Sequence, residues 1–511
     1  MEYYVSIKGN DSNKGTISEP WRTIRHSMST ASPVKKGDIV YVERGDYGKE
    51  YIEFTKPGIK LIGYCPKTSG DKIVSWESGL SEESLITLSK LNNNISKSAI
   101  PVPIIDCQNP ADGRAVFYFP NQTDIEVYNF VIMNTSYGVS TGESQNLLLN
   151  NINAINLGDP TDNYSGRGIL LGSPGTRKSN NNMLNNCKVF NAGAEGIVIS
   201  GDNNLVRNCY VGCNVGLSNI NIATDYYIQI AGDQNTIQDC KTERIGKLAH
   251  SGHGITAYMN SRGNRIQNCV SINMMGEAFC ARHSGASFNE FISCNAIGGN
   301  AFVVRDGAND NVFYSCTAKD TYSGFRLFDT SEDGGAINAG NGNRFTNCII
   351  QNSVIGIFYD EYGVDSKAIG NSFEYCTLSN VDTVIYGGRN AEDSFTNGEI
   401  RGYKQLYSLK PNVTSSIVIS SSIIDAGGTD VTQTDNTDDV VTTTGSEDQT
   451  NTTPYNPPYL LLMINLSEIM GNSNYEAKAE KLNLQGYKPC SNIITANDGK
   501  LYQQWCLKEL L

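Results

Sequence analysis

The sequence predicts an all-β fold wound as a right-handed parallel β-helix solenoid, with an N-terminal cap and a small α+β C-terminal module. Two observations carry this prediction. Between Asn182 and Cys376 the pattern Asn, any residue, an apolar residue, two residues, Cys recurs at Asn182/Leu184/Cys187, Asn204/Val206/Cys209, Asn235/Ile237/Cys240, Asn264/Ile266/Cys269, Asn289/Phe291/Cys294, Asn311/Phe313/Cys316, Asn343/Phe345/Cys348 and Asn371/Phe373/Cys376. The steps between these cysteines are 22, 31, 29, 25, 22, 32 and 28 residues, a base period of 22 that swells by insertion as the coils of a solenoid do. In addition, short Val, Ile and Phe runs alternate with Asn, Gly, Ser and Asp, which punctuates strands and turns rather than amphipathic helices.

In a parallel solenoid each coil lies one strand spacing, about 4.8 Å, beyond the last, so equivalent positions stack into ladders. Asn suits such a ladder at a turn, where it tolerates the left-handed region and its amide can bond its copies above and below. The apolar and Cys positions then face inward. Weaker copies at Leu148 with Asn151, at Asp393/Phe395/Gly398 and at Ser415/Ile417/Ser420 extend the repeat both ways.

Composition agrees. With 511 residues, 50 Gly, 27 Tyr and 18% charged residues, the chain is long enough for a large core and poor in helix formers. A net charge of −13 argues against non-specific nucleic-acid binding and against a polybasic membrane contact. No apolar run reaches membrane-spanning length, and Met1-Glu2-Tyr3-Tyr4-Val5-Ser6 lacks a charged-then-apolar leader. The expectation is a chain folded in the cytoplasm, without a secretory signal or with a leader removed, that acts outside the cell. Eight of the 14 cysteines share one inward position and no pair is spaced CxxC, so they read as buried free thiols rather than disulfides or zinc ligands.

Residues 1–38 read as the cap. Tyr3-Tyr4-Val5-Ser6, Gly9 through Thr16, Pro20-Trp21-Arg22-Thr23-Ile24, Gly37 through Val42 and Gly45-Asp46-Tyr47 form a continuous signature. It resembles the N-terminal cap of the right-handed parallel β-helix proteins of the pectate-lyase-like superfamily, in which a strand, a Gly/Asn-rich loop and a short helix close the solenoid. The resemblance implies a helix from about Thr23 to Thr30 over the first coil, where an open end would expose core and unpaired strand edges. Asp11 and Asp46 read as turn residues. Coils are expected over 39–425. Residues 426–458, with Thr, Asp and Asn and no Lys or Arg, read as a linker, and 459–511 as the separate module, with a strand near Tyr459–Ile464, a helix from about Ser473 and a possible Cys490–Cys506 pair.

Chemistry on a solenoid belongs on its outside. Gly196–Ser200, Gly254–Tyr258, Ala278–Arg282, Ala301–Arg305, Gly324–Phe328 and Gly356–Asp360 align as the second strand of successive coils. Period two puts Ile255, Phe279, Phe302, Phe325 and Ile357 inside. Tyr258, Arg282, Arg305, Phe328 and Asp360 then form one outward column, Thr256, Cys280, Val303, Arg326 and Phe358 another, and His283, Asp306 and Asp329 follow just past the strands. His250 and His253 border the column, and insertions near 212–226, 244–253, 329–342 and 361–368 flank it. This pattern points to a partly exposed groove for an acidic polysaccharide. Tyr258, Arg282, His283 and Arg305 are the candidate catalytic residues, with His253, Asp306, Arg326, Phe328, Asp329 and Asp360 as candidate substrate contacts. The competing reading is a solvated sheet whose charges pair with one another.

Ala281-Arg282-His283, one coil after Tyr258, resembles the segment of alginate and chondroitin lyases on this fold in which a Lys-bearing strand is followed by an Arg-His-Gly motif. That resemblance implies β-elimination, with an arginine neutralising the uronate carboxylate and His283 or Tyr258 taking the C5 proton. Here Tyr258 or Met259 stands near the expected Lys, and Ser284 separates His283 from Gly285, so only Arg282 and His283 carry over and calcium stays open as a cofactor. Hydrolysis by paired carboxylates from Asp306, Asp329 and Asp360 is the second chemistry. A glycan-binding adhesin or phage tailspike component, trimeric or docked to virion proteins through the C-terminal module, is the non-enzymatic alternative, and a passive structural spike without a ligand is a further one.

Overall fold

The computed structural model describes residues 1–425 apart from 66–79, 90–96, 98–99, 109–110, 160–164, 173–177, 215–223, 247–251, 330–338, 361–369, 389–392 and 410–416, and beyond these 462–465, 487–489, 494–495 and 501–507. The chain divides into two units, Met1–Thr432 and Gln433–Leu511. In the first, a typical coil consists of Met183–Asn185, Lys188–Ala192 and Glu195–Ile199. Each strand pairs in parallel with its counterpart one coil on, as in Leu184↔Val206, Val189↔Val211 and Ile197↔Ile228. The result is a parallel β-solenoid with three ladders of strands. The strand taken from the sequence as second in each coil is therefore the third. The residue before each Cys lies in the left-handed region (Asn186 φ 53°, Asn208 φ 54°, Asn347 φ 55°), bending the chain so that the residues after Cys form a strand of their own.

Three internal ladders hold the coils in register. The Oδ1 of Asn204 accepts from both the backbone N (2.8 Å) and the side-chain amide (3.0 Å) of Asn182, and the pattern repeats through Asn235, Asn264, Asn289, Asn311, Asn343 and Asn371. The amide also donates back to the coil above, as from Asn289 to Ser261 O at 3.1 Å. These asparagines are buried and are not the left-handed residues. From Asn182 to Asn343 the residue before each is, because a single residue at φ > 0 before the ladder position makes the turn, leaving the ladder Asn in ordinary backbone. Leu149, Leu184, Val206, Ile237, Ile266, Phe291, Phe313, Phe345, Phe373 and Phe395 stack in register beneath them. The Phe291 and Phe313 rings lie 4.4 Å apart and nearly parallel, at 2°. The eight repeat cysteines, Cys187, Cys209, Cys240, Cys269, Cys294, Cys316, Cys348 and Cys376, are buried free thiols stacked one above another. Each carbonyl receives the N–H of the residue after the next Cys, as from Tyr210 to Cys187 at 3.0 Å. Burial pushes the thiols of Cys294, Cys316, Cys348 and Cys376 well above their ordinary range, which keeps them unreactive.

The cap begins with Glu2–Val5, paired in parallel with Ile39–Glu43. Its helix is Ile24–Met28, N-capped by Thr23. Asp11 fixes the entry to the helix by accepting from the backbone N of Arg22 and of Thr23, both at 2.9 Å. Trp21 is fully buried against the Tyr3 ring at 5.1 Å, and at Gly15 (φ +75°) a Cβ would sit 2.5 Å from the Trp21 ring, so only glycine fits there. Glu50 accepts the Arg25 N–H at 2.9 Å at the same helix start, and burial raises its carboxyl to about 7. A second helix, Glu82–Ser89, was not anticipated. Its Leu85 and Leu88 pack outside the solenoid against Val131, Met133, Ile155, Phe190 and Tyr210, which covers the second ladder there.

In the second unit Leu501–Leu507 is flanked antiparallel by Leu462–Asn465 and by Tyr487–Pro489, and Ile494–Thr495 also pairs with it. The expected linker 426–458, the helix near Ser473 and Cys490 lie outside the described residues.

The Asn ladder predicts that Asn289→Ala, which strands donors in the coil above, lowers unfolding free energy by about 2–4 kcal/mol in urea titration. Asn347→Gly, at an exposed left-handed position, should change it by less than about 1 kcal/mol. Glu50 supplies a pH test. Its folded carboxyl holds its proton above the unfolded value of 4.5, so its contribution is fully present below that pH and lost as pH rises through about 7. Glu50→Gln should flatten the decline in melting temperature across that window.

Candidate functional site

The outward columns form as the strand alignment implies. In the third ladder Arg282, Arg305, Phe328 and Asp360 are register partners, as are Cys280, Val303, Arg326 and Phe358. Tyr258 follows Ala257, the partner of Ala281, and so stands beside Arg282. The expected exposure, however, is corrected: Arg282 is 8% and Arg305 4% exposed. Two guanidiniums one coil apart cannot be buried without counter-charge, and two carboxylates supply it.

The first is Glu277, 1% exposed, whose Oε1 accepts from Arg305 Nη1 at 2.6 Å and whose Oε2 is bonded to His253 Nδ1. The second is Asp306, which accepts from Arg305 Nε at 2.8 Å and lies 3.8 Å from Arg282 Nε and 4.0 Å from His283 Nδ1. Asp306 (φ 53°) and His283 (φ 70°) both adopt the left-handed region directly after a strand arginine. Backbone pairing continues through the bend, from His283 N to Arg305 O at 3.1 Å and from Asp306 N to Phe328 O at 3.0 Å. The turn brings the Asp306 carboxylate back to the arginine that precedes it.

Arg282 donates through Nη1 to the Tyr226 hydroxyl at 2.6 Å, and its guanidinium lies 5.9 Å and 6.0 Å from the Tyr226 and Tyr258 rings. Tyr226 in turn stacks on His253 at 4.7 Å. The outer nitrogen of His253, Nε2, is 3.5 Å from Arg282 Nη1 and 3.6 Å from the half-exposed Asp225. His283 is buried, with its ring edge-on to Tyr258 at 4.9 Å. At the far end Arg326 pairs with Asp360 and lies over Phe328 at 4.0 Å, while Arg305 reaches the same ring at 4.4 Å. Asp329 is buried, and its N–H donates to Asp360 O at 3.2 Å.

Burial alone would raise the Glu277 carboxyl, but His253 and the guanidiniums of Arg305 and Arg282 outweigh it and hold the group far below the usual carboxylate range. Burial would lower Arg305, and Glu277 reverses this to raise it. Tyr226 is pushed up, chiefly by burial, and stays a neutral phenol. Among the described residues no group of three or more His, Cys, Asp and Glu side chains is placed to hold a metal ion. His250 and the core of each flanking insertion, at 215–223, 247–251, 330–338 and 361–368, lie outside the described residues.

Strand reading missed Glu277, Tyr226 and Asp225. Glu195, Tyr226, His253 and Glu277 form a register column at the start of the third strand. Glu277 has the same parity as the inward Phe279, so strict alternation assigns it to the core, yet it meets Arg305. The signal available was a polar side chain two residues before the inward apolar one in four consecutive coils.

Since Glu277 answers two buried cations, Glu277→Gln should cost about 3–5 kcal/mol at neutral pH. Its depressed carboxyl contributes stability above the unfolded value of 4.5 that is lost as pH falls toward the folded value. The difference from the parent in denaturant titrations should therefore shrink on acidification below about pH 4.5; a constant difference would contradict the ion cluster.

No family model and no curated protein matches the chain. Among solved structures it is similar to a PL6 family polysaccharide lyase from Pseudopedobacter saltans (12% identity, TM-score 0.46, 79% of this chain and 91% of that one). It is also similar to the catalytic domain of a GH87 α-1,3-glucanase in complex with nigerose (12%, 0.43, 82% and 68%) and to a rhamnogalacturonan lyase (14%, 0.32, 86% and 89%). At these scores no residue role and no substrate is taken from them.

Proposed function

We propose that the outward face of the third ladder binds an acidic polysaccharide and cleaves it by β-elimination. The observation that carries this reading is the Glu277–His253 pair, whose outer imidazole nitrogen is turned toward Arg282 and Asp225. A buried carboxylate on Nδ1 fixes the orientation of the imidazole, leaving Nε2 to move a proton. In this reading His253 takes the C5 proton of a uronate, Arg282 offsets the charge that develops on its carboxylate, and Tyr226 or Tyr258 returns a proton to the leaving oxygen. Asp306, itself fixed by Arg305, holds Arg282 in place, while Phe328 with Arg326 forms the contact surface for neighbouring sugars. His283, sealed behind Tyr258, is the second candidate base.

Hydrolysis by paired carboxylates is less well supported. Glu277 and Asp306 are tied to Arg305, so among the described residues the accessible carboxylates of the cluster are Asp225 and Asp360. The register path Ile228, Ile255, Phe279, Phe302, Phe325, Ile357 separates their coils by five steps. At about 4.8 Å per step that is roughly 24 Å, well beyond the roughly 5–9.5 Å of a glycosidase pair.

Incubation with alginate, pectin and chondroitin sulfate, followed by the ultraviolet absorbance of unsaturated uronate, tests the reading. His253→Gln should lower turnover by about 10²-fold or more with binding retained. If His283→Ala alone has that effect, the base is His283. Binding without product leaves the adhesin reading, and neither binding nor product removes the groove.

A further inference from the structure

A cavity of about 840 Å³ lies at the cap end of the third ladder, lined by Tyr51, Arg114, Tyr137, Arg167 and Glu195 together with Arg25 of the cap helix. It adjoins the ion cluster through the ladder itself. Ala115, Tyr137, Arg167, Glu195, Tyr226, His253 and Glu277 are successive register partners, so the cavity wall ends at Glu195 and the cluster begins one coil later at Tyr226. Its polar groups are laid over aromatic rings. The Arg114 guanidinium sits 4.1 Å from the Tyr51 ring centre, and Arg167 lies over Tyr137 at 5.7 Å, donates to its hydroxyl at 3.3 Å and pairs with Glu195. The Tyr51 hydroxyl, hidden from solvent, has no hydrogen-bond partner among the described residues.

A guanidinium on a ring keeps its in-plane N–H edge for a carboxylate or hydroxyl, and the tyrosines add flat faces and hydroxyls of their own. That combination suits a ligand dense in hydroxyls and carboxylates better than an aliphatic one. We propose that this cavity is a second binding region for acidic saccharide, continuous with the cluster, so that one chain lying along the solenoid engages both. This inference rests on the function proposed above. From the coil of Ala115 to that of Glu277 is six register steps, about 29 Å. A di- or trisaccharide held at the cluster cannot span that length, whereas a hexasaccharide or longer chain reaches well into the cavity.

The test measures affinity for sized oligomers of galacturonate, alginate and chondroitin, using the full chain and three variants whose melting temperatures match the parent. Arg114→Ala alters an exposed cavity residue, Tyr137→Ala alters the cavity wall, and Arg326→Ala alters the cluster end. The cavity variants should weaken the hexasaccharide and longer oligomers by about tenfold while leaving di- and trisaccharide binding unchanged. Arg326→Ala should weaken both lengths. Parent-like binding of long oligomers by both cavity variants, with Arg326→Ala impaired, overturns the second region and leaves the cluster standing. The converse pattern, cavity variants impaired and Arg326→Ala unaffected, keeps the cavity and removes the cluster from glycan binding. A parent that binds neither length overturns both.

Discussion

A single buried carbonyl oxygen that takes two hydrogens, one from a backbone N–H and one from a side-chain amide of the adjacent coil, is the contact on which this solenoid depends. Coil turns carry backbone groups that no strand ladder can satisfy, and leaving them dry and unpaired would cost about 1–3 kcal/mol each. Because the asparagine answers the turn above and is answered by the turn below, the coils cannot slip by a residue without breaking several bonds at once. That lock is what places Phe291 on Phe313 and Phe345 on Phe373. It also sets which outward residues meet in the third ladder.

The site is a consequence of that stacking. Parallel in-register strands bring Arg282 and Arg305 into adjacent coils, and burial of both would be prohibitive without Glu277 and Asp306. The pairing converts a repulsive column into a rigid set in which His253, Tyr226 and Arg282 are held by groups that are themselves held. Such a set is organised before any ligand arrives, which is the condition under which fixed dipoles and charges assist a reaction most.

How much of this was legible follows from where each residue lies in the repeat. The Asn, Phe and Cys ladders were readable because each coil keeps its Asn-to-Cys spacing whatever the insertion elsewhere, and Arg282, Arg305, Phe328 and Asp360 because each follows its inward Phe279, Phe302, Phe325 or Ile357 by three residues. Glu277 and Tyr226 were not: Tyr226 follows a variable insertion, and both lie at the start of the third strand, where alternation fails. Burial of the arginines was equally hidden, being a property of three neighbouring coils rather than of any one. The left-handed residues were displaced by one position because a ladder hydrogen bond and a positive φ are separate demands on a turn, met here by adjacent residues, such as Asn181 and Asn182.

Asp393 ends the Asn ladder. It accepts from Asn371 as an asparagine would, at 2.5 Å from the backbone N and 3.4 Å from the amide, and takes the Tyr359 hydroxyl at 2.8 Å on its other oxygen. A carboxylate has no N–H of its own to pass downward, so the side-chain relay stops there while Phe395 still stacks in register on Phe373. The ladder thus has a direction, with a donor face on every interior coil and a terminator on one. Lengthening this protein by duplication is therefore free only upstream of that terminator: a segment cut from one ladder asparagine to the next presents the same two donors and the same acceptor at both seams, whereas a copy spliced after Asp393 would meet an acceptor where it needs a donor.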